Sequence, residues 1–335
     1  MIDFRSDTVT KPTNYMRAKM LSAQVGDDVY GEDPTVNELE KVTAKCMGKE
    51  SAIFVSSGTQ SNLLALLVHC ERGDEYIVGQ QGHTYKYEGG GAAVFGSIQP
   101  QPLDYEGNGT LDLNAVAEAI KPDDPHFART KLLCLENTQA GQPLPLDYLS
   151  EARSFCNRHN LSLHLDGARL FNASVALRVD VQVITQHFDT VSVCLSKGLG
   201  APVGSLLCGP VDLIKKARRW RKVLGGGMRQ AGIIAAAGIH ALDCHVSRLE
   251  ADHARARLIC EKLRSLNHPG MQISDAQTNM VFISFHDVDV HAIASRLKEK
   301  DILITPGKRV RLVTHLDLND QDVEYFVSEF TKALD

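Results

Sequence analysis

His164-Leu165-Asp166-Gly167-Ala168-Arg169 closes an apolar run over residues 161–165. A run of that length and composition reads as a buried strand, which sets Asp166 at the carboxyl end, where open α/β sheets present their ligand-binding residues. A second apolar run, 190–195, ends in Ser196-Lys197-Gly198. Singly, Asp166 reads as a turn acceptor and Lys197 as a solvated lysine. Together they are two opposite charges at strand ends that can face one crevice.

A third segment joins them. Ser56-Ser57-Gly58-Thr59-Gln60-Ser61-Asn62 links the strand-like residues 52–55 to the apolar helical pattern 61–68. Free N–H groups and hydroxyls at such a helix start can gather around a phosphate. His83 follows the strand-like residues 75–78 and precedes a glycine-rich turn, so its ring can stack on a ligand or move a proton. His126 sits in Asp123-Asp124-Pro125-His126-Phe127, where a loop histidine with one satisfied hydrogen bond is the plainer reading.

Further strand-like runs at 132–135 and 204–208 continue the βα alternation. This predicts an α/β fold with a mostly parallel central sheet and helices on both faces. From about Arg229 one long helical pattern runs to Leu266. A smaller α+β set follows, with strands at 279–285, 302–305 and 310–315 and helices at 290–299 and 321–334. The expected division is a large domain over residues 1–245, N-terminal segment included, and a small one over 246–335.

The chain has 335 residues, enough for about two domains and a large core. Lys plus Arg number 36 against 41 Asp plus Glu, so no basic stripe is expected and nucleic acid is excluded as a partner. The start lacks the charged and apolar regions of a signal peptide, and the apolar stretch near residues 231–242 is too short to span a membrane. The eight cysteines are scattered, without C-x-x-C spacing, and read as reduced thiols of a cytoplasmic protein. His240 and His245 read as helix-surface residues, and no metal site is expected. Gly198-Leu199-Gly200-Ala201-Pro202-Val203-Gly204 puts Val203 where a dinucleotide fingerprint needs glycine, which weakens a nicotinamide reading.

An anion cup, a strand-end carboxylate and a strand-end amine together match what pyridoxal 5′-phosphate requires: a phosphate site, a partner for the pyridine nitrogen, and an amine for the Schiff base. A carboxylate about 4 Å from the ring nitrogen stabilises its proton by about 4 kcal/mol at an effective dielectric of about 20. That suffices to keep the ring protonated near neutral pH.

With Arg5-Ser6-Asp7-Thr8-Val9-Thr10, Gly26-Asp27-Asp28-Val29-Tyr30-Gly31-Glu32-Asp33-Pro34, Gly225-Gly226-Gly227-Met228-Arg229-Gln230 and Arg311-Leu312-Val313-Thr314-His315-Leu316-Asp317 added, the chain resembles, nearly end to end, the low-specificity L-threonine aldolases. These belong to the aspartate-aminotransferase-like (fold type I) pyridoxal-phosphate enzymes. The resemblance implies that Lys197 forms the imine to the cofactor, Asp166 pairs with the pyridinium and His83 stacks on the ring. It implies that Gly58 and Thr59 hold the phosphate, Arg229 reaches a phosphate across a subunit interface, and Ser6, Arg169 and Arg311 hold the substrate carboxylate, Arg169 lying beside the cofactor as well. Tyr30, Tyr87 and His126 would line the side-chain pocket, with Lys222 a further substrate-site candidate. The implied assembly is a homotetramer of dimers with active sites at subunit interfaces.

The implied reaction is retro-aldol cleavage of L-threonine or L-allo-threonine to glycine and acetaldehyde, with His83, His126 or a water held by either as base. A β-eliminating lyase or aminotransferase of the same superfamily, a nicotinamide oxidoreductase and a non-catalytic Rossmann-type module are the other readings. One departure is visible: relatives have Glu-Asn-Thr-His-Asn where this chain has Glu136-Asn137-Thr138-Gln139-Ala140. Gln139 can donate a hydrogen bond but cannot serve as a base near neutral pH.

Overall fold

A computed structural model describes residues 1–334. In chain order the strands are β1 (Ile2–Asp3), β2 (Ser51–Val55), β3 (Asp74–Gly79), β4 (Gln99–Leu103), β5 (Arg129–Glu136), β6 (Ser162–Gly167), β7 (Thr190–Cys194), β8 (Ser205–Gly209), β9 (Met271–Ile273), β10 (Met280–Phe285), β11 (Ile302–Leu303) and β12 (Arg309–Val313). Seven of them form the central sheet in the order β2-β8-β7-β6-β5-β3-β4. Every neighbouring pair is parallel except those made by β8, which runs against both β7 and β2. The six like-directed strands therefore end on one edge of the sheet.

The burial of these strands explains the near-continuous apolar runs. Every residue of β3, β7 and β8 is buried, as a sheet covered on both faces demands. Helix Gly58–His69 lies across β7 and β8, buries Leu63 through Val68, and is capped by Ser57, whose Oγ accepts from the Gln60 N–H at 3.1 Å.

A second core is built by helices Leu249–Ser265, Val290–Lys298 and Asp320–Leu334 on the antiparallel sheet β12-β10-β9. Phe326 and Phe330 are fully buried there, each contributing roughly 1.5–3 kcal/mol by area. Phe4 joins this core from the other end of the chain: β1 pairs in parallel with β11, and the Val313 N–H donates to the Phe4 carbonyl at 2.9 Å. The chain start is thereby tied to the C-terminal unit, and the next residues, Ser6 and Asp7, are delivered to the central sheet.

Three expectations are corrected, and one strand was not foreseen. The single long helix from Arg229 to Leu266 is two, Gly232–Cys244 and Leu249–Ser265. The break falls where His245 Nδ1 bonds the Leu199 carbonyl at 2.6 Å, a tertiary bond that the local pattern does not encode. His240 and His245 are buried, stacked edge-on with ring centroids 5.0 Å apart, because this side of the helix packs against helix Asn14–Leu21. The strand expected over 302–305 shortens to Ile302–Leu303, before Pro306. β4 was hidden by Pro100 and Pro102; it is an edge strand, where a missing N–H leaves no unpaired neighbour.

Candidate active site

The strand ends converge as the order of the sheet requires. Glu136 at the end of β5 stands in register with Asp166 on β6, and β7 leads directly to Ser196 and Lys197. β2 leads into the helix start at Gly58 and Thr59, and β3 into His83. Gly58, Thr59, Asn62, His83, Asp166, Cys194, Ser196 and Lys197 enclose a cavity of about 170 Å³. Larger hollows exist elsewhere, such as one of about 390 Å³ lined by Asn37, Glu40 and Lys41, but the carboxyl end of no strand lines it.

Asp166 is buried, and the donors that reach it are neutral: Asn62 Nδ2 at 2.8 Å on Oδ2 and the Ala168 N–H at 3.0 Å on Oδ1. The other hydrogen of Asn62 Nδ2 goes to Glu88 Oε1 at 2.8 Å. That oxygen also meets His83 Nδ1 at 2.8 Å, while the His83 N–H donates to Glu136 Oε2 at 2.9 Å. The hydrogen bond to Glu88 raises the His83 imidazole above its ordinary value, against the burial that opposes it. Burial pushes the Glu88 carboxyl up, and the charge of Asp166 adds to the effect. Glu136 is raised for the same two reasons.

On the open side, Arg169 forks onto Asp7, Nε to Oδ2 at 2.8 Å and Nη2 to Oδ1 at 2.6 Å. Burial pushes the Asp7 carboxyl up, but Arg169 and Lys197 outweigh it and hold it below the usual carboxylate range. Arg311 on β12 is lowered by burial and by the neighbouring Arg169 charge. Its side chain makes one hydrogen bond among the described residues, from Nη2 to the Arg5 carbonyl, 3.2 Å. Arg169 is thus paired while the neighbouring Arg311 has no carboxylate partner among the described residues, and the surplus positive charge suits a carboxylate ligand. Ser6 Oγ accepts from the Thr8 N–H at 3.2 Å and caps the short turn Asp7–Val9.

Other expected residues stand apart in the single chain. Tyr87 is at the rim, its ring 5.7 Å from that of His83. Tyr30 is exposed, and His126 is exposed in its loop with Nδ1 2.6 Å from Asp124. Arg229 pairs with Asp27 at 2.8 Å. Lys222 borders a separate surface hollow with Val29 and Gly227. The adjoining Gly226 lies against Gln60, so this loop runs beside the first turn of helix Gly58–His69. Sequence reasoning missed Asp7, Asn62, Glu88 and Glu136. Asn62 had a signal, since it lies four residues after Gly58 on the same helix face; Asp7 and Glu136 had none beyond their place in quoted motifs.

These residues fit pyridoxal phosphate. Asp166 is a buried carboxylate with no ion pair among the described residues, as a pyridinium partner should be. The side-chain amine of Lys197 has no hydrogen-bond or ion-pair partner among the described residues, and Lys197 lines the same cavity. At the helix start a Cβ on Gly58 would lie 2.7 Å from Cys194 Sγ, so glycine lets this helix start sit against the end of β7, and its free N–H groups suit an anion.

The family model of beta-eliminating lyases matches residues 3–286. The low specificity L-threonine aldolase of Escherichia coli (strain K12) is 55% identical over 323 residues, 96% of each chain. The probable low-specificity L-threonine aldolase 2 of Arabidopsis thaliana is 45% identical over 342 residues, 99% of this chain and 96% of that one. Among solved structures, the threonine aldolase of Leishmania major superposes with a TM-score of 0.84 at 21% identity, over 100% of both chains. Sheet order, strand-end residues and end-to-end similarity agree: this chain belongs to the beta-eliminating lyase family and, within it, to the low-specificity L-threonine aldolases.

Proposed function

We infer that the chain is a pyridoxal-phosphate-dependent aldolase that cleaves L-threonine and L-allo-threonine between Cα and Cβ to glycine and acetaldehyde. The observation that carries this is the meeting of Asp166, Lys197 and the Gly58 helix start in one cavity, with two arginines beside it. When bound, pyridoxal phosphate supplies the electron-accepting ring into which the pair of the breaking bond is released.

The protein's own residues do the rest. Lys197 Nζ would offer the amine that holds the cofactor. Asp166 would hold the ring-nitrogen proton, and Gly58 and Thr59 would hold the phosphate. Arg311, Arg169 and Ser6 would hold the substrate carboxylate and so orient the Cα–Cβ bond for cleavage, an effect of roughly several kcal/mol. His83, with Nδ1 committed to Glu88, has Nε2 left to take the β-hydroxyl proton, directly or through a water.

Tyr30, His126, Lys222 and Arg229 stand apart from this chain's own cavity; we place them at a partner's cavity, in the homotetramer of dimers with shared sites that the resemblance implies. Among the described residues no helix is long and apolar enough to cross a membrane, and the cysteines are unpaired; we place the protein in the cytoplasm. We set the division between the two folding units at about residue 245, with Arg311 contributed by the C-terminal one.

Borohydride reduction of the loaded protein followed by peptide mapping tests the reading. A pyridoxyl label on Lys197, and acetaldehyde released from L-allo-threonine without a keto acid, support it. A label elsewhere, or ammonia in place of acetaldehyde, overturns it.

A further inference from the structure

Behind Asp166 a line of polar groups runs between helix Gly58–His69 and the strands β6 and β7. His69 Nε2 lies 2.9 Å from Thr190 Oγ1, Thr190 Oγ1 lies 2.8 Å from His164 Nδ1, and His164 Nε2 lies 3.3 Å from Asn62 Oδ1. Asn62, His164 and Thr190 are all buried. None of the three enters the chemistry described above, yet the line ends on the two carboxylates of the cavity.

The donors and acceptors have one consistent assignment. Two carboxylate oxygens face one end of the Asn62 amide, so that end must be the NH₂ group, and both its hydrogens are used. Oδ1 then faces His164, so Nε2 of His164 must carry a proton. Burial pushes His164 down to about 3, so it carries only that one, and its Nδ1 must accept from the Thr190 hydroxyl. The single hydroxyl proton of Thr190 is thereby spent, and His69 Nε2 must donate to Thr190 Oγ1. Reversing any link would set two lone pairs or two hydrogens against each other, at about 1–3 kcal/mol for each buried mismatch.

We propose that His69, Thr190, His164 and Asn62 form a one-directional positioning chain, in which the Nε2–H tautomer of His164 locks the Asn62 amide so that only donors face Asp166 and Glu88. The proposal rests on the reading of Asp166 as the partner of the pyridine nitrogen. Asn62 then serves as a clamp on Asp166 Oδ2, and His164 and Thr190 are positioning residues that never touch the ligand.

Neutron diffraction from deuterium-exchanged crystals of the cofactor-free, full-length protein reads the tautomer directly. Deuterium on His164 Nε2 and none on Nδ1 is expected; deuterium on Nδ1 overturns the proposal. Fluorescence titration with pyridoxal phosphate supplies the second readout. His164→Gln, whose amide NH₂ can still donate to Asn62, should bind within about threefold of the parent, whereas His164→Phe should bind at least tenfold more weakly. Thr190→Val, a near-isosteric change that frees the tautomer, should weaken binding in the same direction if the phenylalanine variant fails to fold. Parental affinity in both Thr190→Val and His164→Phe, or in Thr190→Val alone when the other does not fold, overturns the proposal. A missing label at Lys197 would overturn the functional reading instead, and the deuterium positions would still judge the tautomer.

Discussion

Arg169 and Asp7, 162 residues apart, meet in a two-pronged ion pair of 2.8 and 2.6 Å whose carboxylate is fully buried. The pair ties the chain start, itself held by the C-terminal sheet, to the edge of the central sheet where the strand ends converge. It also fixes the Arg169 guanidinium plane near Arg311, which feels its charge.

Removing that carboxylate by Asp7→Ala leaves a buried guanidinium without its partner, a loss of roughly 3 kcal/mol by the usual behaviour of broken buried pairs. The midpoint of urea unfolding should fall accordingly, and KM for L-allo-threonine should rise. Because the Asp7 carboxyl is held below its unfolded value, its contribution is present at neutral pH and lost as pH falls through the folded value. The stability difference between parent and variant should therefore shrink in acid; a difference that is constant down to pH 3 would contradict the assignment.

The His83 imidazole is raised by its hydrogen bond to Glu88. A base must be unprotonated to act, so kcat/KM should increase as pH rises through a value above the ordinary imidazole range. Glu88→Gln takes away the raising partner and should move this limb to lower pH. Asp166 and Lys197 also face the imidazole, and they are unchanged in the variant. For stability the sign is opposite: a raised histidine stabilises below its unfolded value and loses that contribution as pH rises through the folded one. Parallel kcat/KM profiles for parent and variant would remove His83 from the role of base.

Gly58→Ala places a methyl group 2.7 Å from Cys194 Sγ. Overpacking of this kind costs roughly 1–3 kcal/mol, and it should weaken pyridoxal phosphate binding about tenfold. Cys194→Ala removes the obstructing sulfur, so the double variant should recover much of the affinity. A double-mutant cycle with no coupling between the two sites would refute the contact.

Ala140 has φ of +48° in an exposed turn, a conformation that costs a residue with a Cβ about 1 kcal/mol or more. Ala140→Gly relieves it, offset in part by the larger entropy of glycine in the unfolded chain. A gain of about 0.5 kcal/mol, seen as a slightly higher unfolding midpoint with unchanged kcat, is the expected outcome.

Local pattern alone disclosed where the strand ends that meet at the cavity lie. The apolar runs before Asp166 and Lys197, and the Ser57 cap before Gly58, are properties of a few consecutive residues, and each element formed where its period and punctuation placed it. The second core was visible for the same reason, in the apolar run at residues 280–283. What no short window holds is which distant groups share a hydrogen bond. The pairing of Asp7 with Arg169, the turn of Asn62 toward both Asp166 and Glu88, and the break between the helices at His245 each depend on the order of strands in the sheet. So does the separation of Tyr30, His126 and Arg229 from the cavity in one chain. The sequence by itself thus determined the fold class and the reactive ends of the strands, because these follow from periodicity. Only the tertiary structure decided how the charges are partnered, because a buried ion or amide takes its partners from whichever elements the packing brings within about 3 Å.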